Sequence, residues 1–299
     1  MDSAAPAEAS SAFPRAQQGS NPQLLLSGLL ADYSFEETAG LTSASIVSLL
    51  GEFGITPAGA RTALSRVARR GLLVPSREGG VVRYGIGEPS RSTHLERLSR
   101  VVRFGAASPP WDGRWTVVTF SVAERERPQR ARLRAALEKL QLAPMTDAVW
   151  VTPHDRAAEV ADVSTELAVN VAIFRATQVE AERTGMSPVA AFDLAGLRAR
   201  YDAFIATYEP RRDEMSAGAL TPSSALVVRT EVLREWRTIG FADPDLPAEL
   251  LPEDWPLRRA HDVFESLWRG LAPLALLRLT SLLAPRDAEV ARGLRWVDV

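Results

Sequence analysis

The sequence predicts an α+β, helix-rich protein in three parts, and three observations carry that expectation. Residues 22–105 read as short helices separated by capped turns and followed by two extended runs around a Gly-Gly pair. Residues 115–177 alternate strand and helix. From Met186 onward helical periodicity dominates.

Along the chain, Pro22–Asp32 reads as a first helix and Ala44–Phe53 as a second, with Thr42 or Ser43 placed to cap it. Gly54-Ile55-Thr56-Pro57 reads as a turn. The glycine permits it, Thr56 caps the third helix, and Pro57 takes the first helical position, where no N–H is needed. That third helix, Pro57–Arg70, stops at Gly71. Leu72–Ser76 and Val81–Ile86 are extended, and Arg77-Glu78-Gly79-Gly80 between them is a hairpin signal. Thr93-His94-Leu95-Glu96 has the form of a capping box and places a further helix over Thr93–Phe104. Short helix, turn, third helix and basic hairpin is the order of a winged helix-turn-helix.

A Pro/Gly linker covers residues 106–113, and the pattern then changes. Trp115–Val122 is a strand, Pro128–Leu140 a helix, Pro144–Asp147 a short strand and Ala148–Thr152 another strand. Arg156–Leu167 is a helix and Asn170–Thr177 the last strand. That order predicts the split β-α-β, ferredoxin-like arrangement. The C-terminal part reads as a helix over Pro188–Tyr208 with Phe192, Leu197, Tyr201, Phe204, Ile205 and Tyr208 on one side. Ser224–Ile239, a proline-punctuated loop over 243–256 and a helix over Arg258–Leu283 come after it. The expected boundaries are a disordered tail at 1–21, a DNA-binding part with its linker helix at 22–105, a middle domain at 106–185 and a helical domain at 186–299.

Composition narrows the chemistry. With no cysteine and three histidines in 299 residues, disulfide frameworks, thiolate metal sites and cysteine nucleophiles are excluded. No phosphate-cradling, dinucleotide-binding, nucleophile-elbow or zinc-protease motif occurs, so no catalytic residue, cofactor or metal ligand is expected. Arg269, Pro273 and Arg278 interrupt Leu267–Leu283, which reads as a buried helix rather than a membrane span. The N-terminal tail lacks the apolar stretch of a secretory signal, and a cytoplasmic location is expected.

The net charge of −2 conceals a local asymmetry: Gly54–Gly105 holds ten Arg against three acids, whereas Met186–Val299 holds 14 Arg against 17 acids. On a helical wheel Arg61, Thr62, Ser65, Arg66, Arg69 and Arg70 fall on one half of the third helix. Ala60, Ala63, Leu64, Val67 and Ala68 fall on the other. Four like charges on one face, without interspersed acids, destabilise an isolated helix. A solvated face in an arginine-biased chain explains the pattern blandly, since 34 of the 35 basic residues are arginines. The context favours a recognition helix. Arg reads guanine through two parallel bonds, Thr62 and Ser65 suit phosphate or base edges, and Arg77, Arg83 and Tyr84 on the hairpin suit the flanking backbone. His154, in the turn after a strand, and the tryptophans Trp236, Trp255, Trp268 and Trp296 read first as structural, although the tryptophans also suit an aromatic or acyl ligand.

With these residues in hand, the sequence resembles the PaaX family of bacterial repressors of aromatic catabolism. The resemblance rests on FGITPAGARTALSRVARRGLL (53–73), on WTVVTFSV and AVWVTP (115–153) and on ALVVRTEVLREWRTIGFADPDLPAELLPEDWP (225–256). It implies a homodimer that binds operator DNA and releases it when an acyl-CoA thioester such as phenylacetyl-CoA binds, in a pocket that the sequence assigns to no particular residues. The chain departs from the family pattern at Gly71-Leu72-Leu73 and Trp255-Pro256-Leu257. Two other readings stand beside this one. One is a metal-dependent nuclease on the ferredoxin-like domain, although its first strand ends Phe120-Ser121-Val122 without a carboxylate. The other is an interaction module whose arginine face docks an acidic protein.

Overall fold

Capped turns and one-sided apolar helices give a helix-rich α+β chain, with two antiparallel sheets among the described residues. The computed structural model describes residues 22–33, 40–86, 88–108, 110–122, 126–179 and 186–297, and the tail expected over 1–21 lies outside them. The chain divides into two compact units, one made of Met1–Val102, Asp213–Arg234 and Ser266–Val299, the other of Arg103–Arg212 and Glu235–Glu265. The helical stretch after Met186 therefore contributes to both.

In the first unit, α1 (Pro22–Asp32), β1 (Leu41–Thr42), α2 (Ser43–Gly51) and α3 (Pro57–Arg69) are followed by β2 (Leu73–Glu78) and β3 (Val81–Ile86). Thr42 caps α2 by accepting from the Ser45 N–H at 3.3 Å, and Thr56 caps α3 by accepting from that of Gly59 at 3.2 Å. The apolar faces meet in one core: Leu26 and Leu29 of α1, Ile46, Leu49 and Leu50 of α2, and Ala60, Ala63, Leu64 and Val67 of α3. Each large side chain buried there contributes about 1.5–3 kcal/mol. The strands lie in the order β1-β3-β2. Glu78 pairs with Val81, which leaves Gly79 and Gly80, at φ 55° and 84°, as a two-residue turn whose twist suits a tight hairpin.

The next helix, α4, spans Glu88–Arg103, so the capping-box residue Thr93 lies inside it rather than before it. Pro89 falls in the first turn, where a missing N–H costs nothing, and the helix starts there instead. The helix expected over Arg258–Leu283 is two, α9 (Leu257–Gly270) and α10 (Ala272–Leu283). Pro273 explains the break, because its ring would clash with the carbonyl four residues earlier in a continuous helix. Leu279 and Leu283 of α10 and Val290 of α11 (Ala288–Gly293) join the core behind α1–α3.

In the second unit the order is β4 (Trp115–Phe120), α5 (Arg127–Lys139), β5 (Ala143–Thr146), β6 (Val149–Thr152), α6 (Ala157–Leu167) and β7 (Val171–Ala176). All neighbours in the sheet β5-β6-β4-β7 are antiparallel. Val118, Phe120, Trp150 and Ile173 face one side and pack on Leu133 and Leu137 of α5 and Val160 of α6. The helix expected from Pro188 begins later: Pro188–Ala191 is a 3-10 turn, and α7 spans Leu194–Ser216. Asp193 accepts from the Gly196 N–H at 2.9 Å and so starts α7, leaving Phe192 outside a face that Leu197, Tyr201, Phe204, Ile205 and Tyr208 do share. The following helix, α8, spans Pro222–Ala242, and its Trp236 is fully buried and stacked on Phe264 at 5.1 Å. That indole is core. Among the described residues no helix is long and apolar enough to cross a membrane.

Candidate nucleic-acid interface

The outer half of α3 is built by the same spacing that builds its inner half. Ala60, Ala63, Leu64 and Val67 are buried, and Arg61, Thr62, Ser65, Arg66, Arg69 and Arg70 are all exposed. Arg61 and Arg69 are about 12 Å apart along the axis, close to the width of a major groove. Among the described residues, none of the four arginines has a carboxylate partner. The Thr62 hydroxyl donates to the carbonyl of Ala58 at 3.0 Å, which leaves it as an acceptor only. The C-terminal end of α3, where Arg66 and Arg69 sit, is favourable for cations, and this offsets part of their mutual repulsion.

The hairpin residues have separate occupations. Arg77 is exposed near the turn, opposite Val82. Arg83, expected beside it on the flanking backbone, instead reaches inward: its guanidinium donates to the Asp287 carboxylate at 2.6 Å and to the Gly40 carbonyl at 3.3 Å. Tyr84 is partly buried against the core. Gly40 makes this approach possible, since at φ 81° a Cβ there would lie 2.7 Å from the Tyr84 carbonyl carbon.

Asp287, which no local pattern marks, is the hub of this junction. It is buried and accepts from the backbone N–H and hydroxyl of Thr42, both at 3.0 Å, as well as from Arg83. Burial alone would raise its pKa, but the hydrogen bonds from Ser45, Thr42 and Arg83 outweigh that and hold it below the usual carboxylate range. One carboxylate thus ties the α2 cap, strand β3 and the start of α11 together.

Two further ion pairs fix the scaffold behind α3. Glu52, in the turn between α2 and α3, is gripped by Arg278 at 2.5 and 2.9 Å and by the Ser223 hydroxyl at 2.7 Å. The Arg278 hydrogen bonds are the main reason its pKa is lowered. At the end of α1, Asp32 and Arg229 form a fully buried ion pair. The indole N–H of Trp268 donates to Asp32 at 3.1 Å, and Arg229 donates to the Trp268 carbonyl at 2.8 Å. These arginines point inward, and those of α3 do not. The sequence charge count could not separate the two groups, because partners such as Asp287 and Glu52 lie about two hundred residues from the arginines they hold. Arg97 and Arg100 on α4 are exposed as well, and the motif pattern does not mark them.

In the second unit, His154 hydrogen-bonds through Nε2 to the Pro244 carbonyl at 2.8 Å, a structural tie. Among the described residues, no group of three His, Asp or Glu side chains is placed to hold a metal ion.

Comparison with known proteins agrees along the chain. Residues 22–89 match the family model "PaaX-like protein", 108–186 "PaaX protein central Cas2-like domain" and 192–279 "PaaX-like protein C-terminal domain". The transcriptional repressor PaaX of Escherichia coli (strain K12) is 25% identical over 259 residues, covering 84% of this chain and 81% of that one. The uncharacterized protein Rv0674 from Mycobacterium tuberculosis shares the fold, with a TM-score of 0.53, 23% identity, and coverage of 85% of this chain and 96% of its own.

Proposed function

Because this chain belongs to the PaaX family, we propose that it is a transcriptional repressor that holds duplex DNA through α3. It is a regulator and not an enzyme. The observation that carries the DNA reading is the outward row Arg61, Arg66, Arg69 and Arg70, unpaired among the described residues, on a helix whose other side is packed into a core. In this reading residues 22–86 form a winged helix-turn-helix. Thr62 accepts from donors on base edges, Ser65 donates or accepts at phosphate and base edges, Arg77 reaches the flanking backbone from the wing, and Arg83 and Tyr84 serve the DNA face by holding the wing strand in place. The middle part reads as a ferredoxin-like domain. The working form is a homodimer in the cytoplasm, and an acyl-CoA thioester such as phenylacetyl-CoA weakens DNA binding by favouring a state with lower affinity.

The test is selection of duplexes from a random library by the full chain, followed by titration of acyl-CoAs into the selected complex. Enrichment of one sequence, lost on adding a thioester, is expected. A pool that stays random overturns the repressor reading. Enrichment that no thioester reverses overturns the effector.

A further inference from the structure

The two edges of the four-stranded sheet are unlike. At one edge β5 is four residues long, carries Pro144, shifts register between Pro144 and Thr146, and has the turn Pro188–Ala191 packed against it. These are devices that blunt an edge against further pairing. At the other edge β7 has none of them. Its six residues pair with β4 without interruption from Trp115↔Ala176 to Phe120↔Val171. It holds no proline, and its one charged side chain, Arg175, is occupied by Asp112 at 2.6 Å and Thr116 at 3.1 Å. Among the described residues no strand pairs with its outer side.

We propose that β7 pairs antiparallel with β7 of a second copy of this chain, joining two four-stranded sheets into one across a two-fold axis. A regular edge is complementary to itself under such an axis, so one contact closes both open edges at once. Charge does not oppose it: from Val171 to Val179 the sole charge is Arg175, so like charges face each other only in the register centred on that residue, and there each is compensated by its own Asp112. Apolar area is present where the contact needs it. Phe174, on the face turned away from α5 and α6, is 54% exposed, Val179 just after the strand is 76% exposed, and Met186 is 54% exposed. The Gln178 side chain donates to the Met186 carbonyl at 3.5 Å, which keeps Met186 near the strand end. Doubled by the axis, these side chains supply an apolar centre for the roughly 1,200 Å² that a specific interface requires. This deepens the homodimer reading above and rests on it.

The chain has no cysteine, so single substitutions report proximity without background. Ala172→Cys, Ile173→Cys, Phe174→Cys and Ala176→Cys are oxidised in the full-length protein, with the exposed α5 position Ala135→Cys as control. Paired antiparallel strands bring facing Cα atoms to about 4.5–5.5 Å, within disulfide reach. A disulfide-linked dimer that peaks at one position in β7 and is absent at Ala135 is expected. Sedimentation of Phe174→Glu, a change at a solvent-facing position, is expected to show dimer association weakened at least tenfold, and Ala172→Lys likewise. A dimer that neither substitution weakens and no β7 cysteine links overturns this edge while leaving the homodimer standing. A monomer at all concentrations overturns both. Slow hydrogen exchange at the outer β7 amides of a monomer means the chain covers its own edge, and overturns the proposal as well.

Discussion

Arg77 and Arg83 lie on the same short hairpin and are chemically identical, yet their environments give them opposite tasks. Arg83 compensates the buried Asp287 carboxylate, so Arg83→Ala leaves a charge in the core and is expected to cost about 3–5 kcal/mol. Arg77→Ala removes an exposed side chain and is expected to change stability by less than about 0.5 kcal/mol. Urea melts of the two variants check this, and equal losses would contradict the assignment. Asp287 also sets a pH dependence. Its native pKa lies below the unfolded value near 3.9, so its contribution is fully present above that value and is lost as pH falls through the lower native one. Asp287→Asn is therefore expected to flatten the acid limb of stability, measured by denaturant melts across the acid range, and an unchanged limb would remove Asp287 from the account. The buried Asp32–Arg229 pair follows different logic. Replacing Asp32 alone by Asn strands a guanidinium and is expected to destabilise by several kcal/mol, about 3–5. Asp32→Leu with Arg229→Met is expected to be much milder. Additive losses in this double-mutant comparison would show the pair is not acting as one unit.

At the scale of elements, α3 depends on a single cap. Thr56→Ala removes the bond to the Gly59 N–H and is expected to cost about 1 kcal/mol, read as a lower urea midpoint with an unchanged slope. Local signals make much of this part legible in the sequence. Pro22–Asp32, the Thr42 and Thr56 caps and the Gly79-Gly80 hairpin all arise from chemistry within a few residues, and each is found where that chemistry puts it. The inner and outer faces of α3 follow from its period. The misplacements share one cause, a local signal competing with another. Thr93 offers a cap, but Pro89 has already opened α4. Pro188 looks like a first helical residue, but Asp193 supplies the side-chain cap. Pro273 has the look of an interruption within one helix and is the start of a second. The Arg83–Asp287 and Arg278–Glu52 pairs are beyond the reach of local patterns, because their partners are separated by 204 and 226 residues and neither carboxylate sits in a motif.

At the scale of the whole molecule, a net charge of −2 predicts no affinity for a polyanion, yet the chain sorts its arginines by partner. Arg229, Arg278 and Arg83 meet carboxylates that tie α1, the α2–α3 turn and the β2–β3 hairpin to the helices behind them; those of α3 meet none among the described residues and face water. Binding to DNA is therefore expected to come from one small surface and to be strongly salt-dependent. The most direct measurement is the slope of log binding constant against log salt for a selected duplex, with the full chain and with Arg61→Ala, Arg66→Ala, Arg69→Ala and Arg70→Ala singly. Each phosphate-contacting arginine removed is expected to reduce the slope by about 1, and an arginine that reads a base is expected to cost about 1–3 kcal/mol on the selected sequence alone. Unchanged slope and affinity in all four variants would contradict the claim that α3 holds the DNA.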